Sequence, residues 1–277
     1  MLDPTAVGRS HATPRPRSRR PQAPSSSADW RLGPDVAPPT YYPAQHHVWR
    51  KLNQIQRELA PCFACPEYLR ARERLAVDEM RIPELRALDC RLKQLCGWGI
   101  IKVSGYVPSQ PFFRLLEQKL FPCTDLLRHA SELAYAQAPD MWHDVMGHLP
   151  MLVEPAFGEF NHLFGRVGSR IRHEAHLNTL EKIYWFSMEF GIVHPPTLPG
   201  DPRDISRARL YGATLVSSAH EMTTCLTDAV ERRPFSIEAV SQMKTDVSRV
   251  NTVLFEIPSF DALLQQLIDW ATDEHLL

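Results

Sequence analysis

From about Tyr41 onward, apolar residues recur at helical spacing, beginning with Val48, Leu52, Ile55 and Leu59, and only short stretches cluster as strands do. This confines the chain to a mainly α architecture with a few short β strands. The first helix is expected to stop at Pro61, where the ring removes a backbone donor. Further helices are predicted over Pro66 to Val77, Leu85 to Leu95, Phe112 to Leu120, Asp140 to Gly147, Phe157 to Arg172, Leu177 to Phe190, Ala213 to Val230, Ile237 to Asp246 and Phe260 to Trp270. Gly97 to Val103 and Thr252 to Ile257 read as strands. No internal repeat is present. Residues 1–39 differ in kind: Pro14-Arg15-Pro16-Arg17-Ser18-Arg19-Arg20 and Ser25-Ser26-Ser27 carry too little apolar surface to fold alone, so this stretch reads as a disordered leader before one domain spanning 40–277.

The 277 residues are 44% hydrophobic, enough for a sizeable core, and 31 basic side chains nearly balance 32 acidic ones for a formal charge of −1. Nothing in that balance draws the chain to nucleic acid or to a membrane surface, and a small, roughly neutral ligand is the expected partner. The absence of a long apolar run and of an apolar segment behind the N-terminal charges points to the cytoplasm. Six cysteines are scattered, several within helical stretches where free thiols pack as small hydrophobes, so no disulfide framework is expected. Cys62-Phe63-Ala64-Cys65 has the spacing of half a zinc site, but no second pair follows it.

The most informative stretch is Pro139-Asp140-Met141-Trp142-His143-Asp144-Val145-Met146-Gly147-His148-Leu149-Pro150. Asp140 can cap a helix carrying His143, with Gly147 and Pro150 bracketing its end. Histidines five positions apart lie about 140° apart on an ideal α-helix, unlike the i, i+4 pairs of zinc proteases. They converge only if the helix breaks, and Gly147 offers a permissive backbone for that. Paired histidines at a helix end are in general more often structural than ligating.

A second stretch, Tyr184-Trp185-Phe186-Ser187-Met188-Glu189-Phe190-Gly191, sets one carboxylate in an apolar, aromatic helix. A buried carboxylate needs compensation from a metal or an arginine, unless Glu189 lies on an exposed edge. Two histidines and a carboxylate with open positions form the facial triad of non-haem iron(II) oxygenases, and zinc hydrolysis stays open on ligand types alone.

The pattern PD-x-x-H-D-x-x-G-H-x-P, followed some forty residues later by Y-W-F-x-x-E-F-G, resembles the pterin-dependent aromatic amino acid hydroxylases, with the bacterial phenylalanine hydroxylases the nearest branch. The likeness runs from about Tyr42 through Trp49, Arg81-Ile82-Pro83, Gly97-Trp98, Phe121-Pro122, Arg128, Tyr211-Gly212 and Ser217-Ser218 to Ser259-Phe260. It implies a helical basket with iron at the bottom of a deep cleft, and a monooxygenase that uses iron(II), tetrahydrobiopterin or a related tetrahydropterin, and dioxygen. His143, His148 and Glu189 match the iron ligands. Arg128 matches the residue that grips the substrate carboxylate, a task suited to a planar guanidinium. Trp185 and Ser217 match residues of the substrate pocket, Ser217 also standing behind an iron histidine. Phe112 matches the ring on which the pterin stacks, Gly105, Tyr106 and Val107 the loop along the pterin edge, and Asp144 an acidic position beside it.

The implied reaction is conversion of phenylalanine to tyrosine, with meta-hydroxylation of phenylalanine or hydroxylation of tryptophan as alternatives. From other classes, a zinc hydrolase or a non-catalytic homologue that binds an aromatic ligand would keep the same residues. Departures from the family pattern bear on specificity: Ala136 and Ala138 are small, Trp142 and Met146 are large beside the histidines, and the segment from Ile192 to Leu210 is longer than expected and suggests a lid. With no sustained heptad in the sequence, a monomer is expected.

Overall fold

A computed structural model describes residues 39–103, 107–136, 138–194, 207–245 and 251–277. The first helix, α1 (Pro43–Phe63), has proline at its start, where no donor is missed, and buries Val48, Trp49, Leu52 and Ala60 along one stripe. It runs through Pro61 rather than stopping there, because the ring falls in the last turn, exposed, where the lost hydrogen bond is cheap. After it come α2 (Pro66–Leu75) and α3 (Leu85–Cys96). Cys65 caps α2, its sulfur accepting from the Tyr68 amide. Burial pushes the Cys65 thiol up to about 12, and all six cysteines are free; Cys65 packs in the core, whereas Cys62 is exposed.

Strand β1 (Gly99–Val103), helix α4 (Ser109–Glu117) and strand β2 (Leu120–Thr124) form a parallel crossover, with Gly99 opposite Leu120 and Val103 opposite Thr124. The sequence pattern extended the helix over Leu120; the chain instead turns at Lys119, in the left-handed region, and enters β2. Two longer helices follow, α6 (Pro155–Arg170) and α7 (Glu174–Tyr184). Helix α4 lies directly on α6: a methyl group on Gly165 would fall 2.1 Å from the Glu117 amide nitrogen. Gly165→Ala is therefore expected to destabilise the fold by about 1–3 kcal/mol, as overpacking does, measurable as a shift of the urea midpoint at unchanged slope.

A four-stranded sheet in the order β4-β3-β6-β5 closes the other side. Its strands are β3 (Gly191–Val193), β4 (Arg209–Leu210), β5 (Glu231–Pro234) and β6 (Val253–Ile257), with β3 antiparallel to β4 and β6 parallel to both β3 and β5. Three of these strands are absent from the sequence reading; they have two to four residues, too few to show a period. The expected helix over Ala213 to Val230 is two helices, α8 (Ala213–Ser217) and α9 (Ala219–Thr224), broken at extended Ser218 whose hydroxyl caps α9. Helix α10 (Ile237–Ser241) is shorter than expected, and α11 (Phe260–Asp273) packs its Leu263, Leu267 and Ala271 inward behind a Ser259 cap. The architecture is mainly α with a few short strands, as the sequence indicates. No helix among the described residues is long and apolar enough to cross a membrane. The leader lies outside the described residues, as does Asp246 at the end of the expected α10.

Candidate metal centre

The histidine segment does not break. It forms a π-helical turn, His143–His148, that runs into the short helix α5 (Leu149–Leu152) with right-handed backbone throughout. Hydrogen bonds reaching five residues back, such as Leu149 N–H to Asp144 C=O, widen the coil until residues five apart stand nearly above one another. That brings His148 Nε2 to 3.0 Å from His143 Nε2 without any departure from helical φ. Gly147 serves a different purpose from the one expected of it: a methyl group there would sit 2.8 Å from the Ala213 carbonyl oxygen, so glycine lets α8 lie against the turn. Pro150 supplies no amide to the Met146 carbonyl, and the buried Tyr68 hydroxyl donates to that oxygen instead, at 2.6 Å.

A second π-helical turn, Trp185–Glu189, ends α7, with the Phe190 amide reaching back to Trp185 C=O. It turns Glu189 toward the histidines: Oε1 lies 3.1 Å from His148 Nε2 and Oε2 lies 3.5 Å from His143 Nε2. Among the described residues, these three are the group whose donor atoms lie close enough together, within 4.8 Å, to share an ion. Separations of this size suit adjacent donors around a metal with bonds of about 2.1 Å.

Protonation fits the same use. Burial holds the His143 imidazole down at about 4, against the pull of Glu189, so it is neutral near pH 7. Burial alone would raise the Glu189 carboxyl, but His148 and His143 outweigh it and hold the group at about 2. Neutral imidazole and ionised carboxylate are the forms that ligate. His143 Nδ1 lies 3.1 Å from Ser217 Oγ, which fixes the ring so that Nε2 faces the centre. The buried Asp144 carboxylate accepts from the Thr124 amide at 2.8 Å, and burial raises its pKa to about 7.

Arg128 is buried beside this turn, but much of its fork is already engaged. Nε and Nη2 bind Asp140 at 2.9 and 2.7 Å, and the Arg128 amide binds the same carboxylate at 2.8 Å. Asp140 also accepts from the His143 amide at 3.1 Å, so the predicted cap is present and ties the guanidinium to the metal turn. Nη1 is left buried without a hydrogen-bond partner. Asp140 was legible as a cap; its pairing with Arg128 was not.

Trp185 packs on Phe190 with ring centroids 4.8 Å apart and directs its indole N–H toward Asn251 Oδ1 at 3.4 Å. Phe112 meets Phe113, Phe121 and Tyr184 at interplanar angles of 66, 82 and 89°, all edge contacts, with Tyr184 in turn beside His148. Val107 is half-buried just ahead of α4, whereas Gly105 and Tyr106 lie outside the described residues. The departures suggested from sequence are absorbed in part elsewhere. Trp142 packs edge-on against Trp49 and donates to Ser217 C=O, Met146 is buried, and Ala138 is exposed. The ends of the long segment pair as β3 and β4, and the suggested lid falls on 195–206, outside the described residues.

Comparison with known proteins identifies the family. Phenylalanine-4-hydroxylase of Caulobacter vibrioides is 33% identical over 241 residues, 87% of this chain and 78% of that protein. Phenylalanine 3-hydroxylase of Streptomyces coeruleorubidus is 30% identical over 236 residues, 83% of this chain and 81% of its own. Phenylalanine hydroxylase of Chromobacterium violaceum, solved with iron(III) and oxidised 7,8-dihydrobiopterin, superimposes with a TM-score of 0.77 at 31% identity, covering 86% of each chain. The profile of one family matches residues 8–275, and with it the span that carries both π turns: the chain belongs to the biopterin-dependent aromatic amino acid hydroxylases.

Proposed function

We propose that this chain hydroxylates the ring of phenylalanine at the para position, using iron(II) held by His143, His148 and Glu189, a tetrahydropterin and dioxygen. The observation that carries the reading is the convergence of three donors on two π-helical turns, with the His143 imidazole neutral and the Glu189 carboxylate ionised. Iron and pterin, when bound, supply the oxygen activation; the protein supplies orientation and exclusion of water. Arg128 receives the substrate carboxylate through the unpartnered Nη1, an open donor in a low-dielectric site. Trp185 and Ser217 line the substrate pocket. Phe112, which has only edge contacts with its aromatic neighbours, offers its ring to the pterin. Gly105, Tyr106 and Val107 are assigned to binding of the pterin edge, and Asp144 to a position beside it. The catalytic unit is residues 40–277, acting as a cytoplasmic monomer.

The Streptomyces relative favours a second reading, meta-hydroxylation, since discrimination worth about 1–3 kcal/mol in an apolar pocket is enough to move preference. Incubation with iron(II), tetrahydrobiopterin and equimolar phenylalanine, tyrosine and tryptophan, with products identified by NMR, decides between them. The expected product is para-tyrosine from phenylalanine, from the full chain and from a chain lacking residues 1–38 alike. Meta-tyrosine would establish the second reading, and no pterin-dependent product would refute both.

A further inference from the structure

Glu189 presents two oxygens to the centre, and the protein treats them differently. Oε1 faces His148 Nε2 at 3.1 Å, whereas Oε2 accepts a hydrogen bond from Thr214 Oγ1 at 2.9 Å. Thr214 lies in the first turn of α8, a helix fixed in place by three contacts. Gly147 abuts Ala213, the Gln56 amide donates to Val216 C=O at 2.9 Å, and Trp142 donates to Ser217 C=O at 2.9 Å. Three residues further along α8, Ser217 holds His143 Nδ1. One five-residue helix therefore grips two of the three candidate ligands from behind.

A threonine in a helix ordinarily divides between rotamers, one of which returns its hydroxyl to a carbonyl of the preceding turn. Here the hydroxyl goes to Glu189. We propose that Thr214 is a positioning residue that restrains Oε2, so that Glu189 ligates a bound metal through Oε1 alone. A carboxylate held in this way takes one coordination position rather than two, which leaves one more open to exchangeable ligands. The inference rests on the metal reading of the site.

Infrared difference spectra, iron(II)-loaded minus metal-free under anaerobic conditions, test it on protein carrying carbon-13-labelled glutamate side chains. The gap between the antisymmetric and symmetric carboxylate stretches is wide for one-oxygen ligation and narrow for chelation. The wild type is expected to show a wide gap in bands that vanish in Glu189→Ala. Thr214→Val, of like shape but without the hydroxyl, is expected to keep about one iron per chain with a narrowed gap, and Thr214→Ser to restore the wide one. A narrow gap in the wild type would overturn the proposal whether or not the valine variant folds, as would an unchanged wide gap in Thr214→Val. Failure of the underlying metal reading is distinct: iron would then shift no labelled band that depends on Glu189.

Discussion

Alanine at His143, at His148 or at Glu189 is expected to remove both bound iron and turnover. The donors lie 3.0 to 3.5 Å from one another, so each deletion removes one of the three proposed protein ligands. The loss in iron affinity should exceed the roughly 10–100-fold that follows from losing a residue that merely orients a ligand. Ser217→Ala, on α8, provides that smaller reference value, since its hydroxyl meets His143 at Nδ1, on the side away from the centre. Metal content after dialysis, read alongside the circular dichroism spectrum, checks the expectation. Stoichiometric iron in a correctly folded His148→Ala protein would show that the centre lies elsewhere.

Arg128→Ala is expected to have two separable effects. Removing the guanidinium leaves Asp140 buried without its countercharge, which typically costs about 3–5 kcal/mol. In a chain of this size each kcal/mol moves the melting temperature by roughly 2–4 °C, so a loss of more than about 6 °C should follow. Phenylalanine affinity should fall roughly 10–150-fold, the equivalent of one hydrogen bond to a charged group. Arg128→Lys separates the two, because the ammonium can still neutralise Asp140 but has no second nitrogen to stand where Nη1 does. The lysine variant should recover much of the melting temperature and little of the affinity, measured by calorimetric titration with phenylalanine. Full recovery of affinity would show that Arg128 serves only as the partner of Asp140.

The long amphipathic helices were legible in the sequence because Val48, Leu52 and their successors mark a stripe that burial then fills. The three candidate donors were legible through residue types in two apolar contexts, and their convergence is what the structure adds. What stayed hidden depends on contacts between distant segments. The role of Gly147 is set by Ala213, that of Pro150 by Tyr68, and that of Arg128 by Asp140, and none of these pairings is marked by local pattern. Thr214 reads as an ordinary helix residue until Glu189 is placed beside it. Strand β5 is polar and mostly exposed, so it has no apolar alternation to find.

The two π-helical turns have a consequence for how such a chain can change over time. The first holds two proposed ligands in register and the second holds one, by one extra residue per coil, and that register depends on the number of residues in the turn. Exchanging residues one at a time leaves that count untouched, so the site can drift in sequence while its frame stays locked. A one-residue deletion that lets either coil relax to ordinary pitch would keep most of the helix surface and its buried stripe, yet swing a ligand out of focus. Composition around the proposed metal is constrained residue by residue, as at Gly147, while the spacing inside these two segments is constrained by the pitch of the coil.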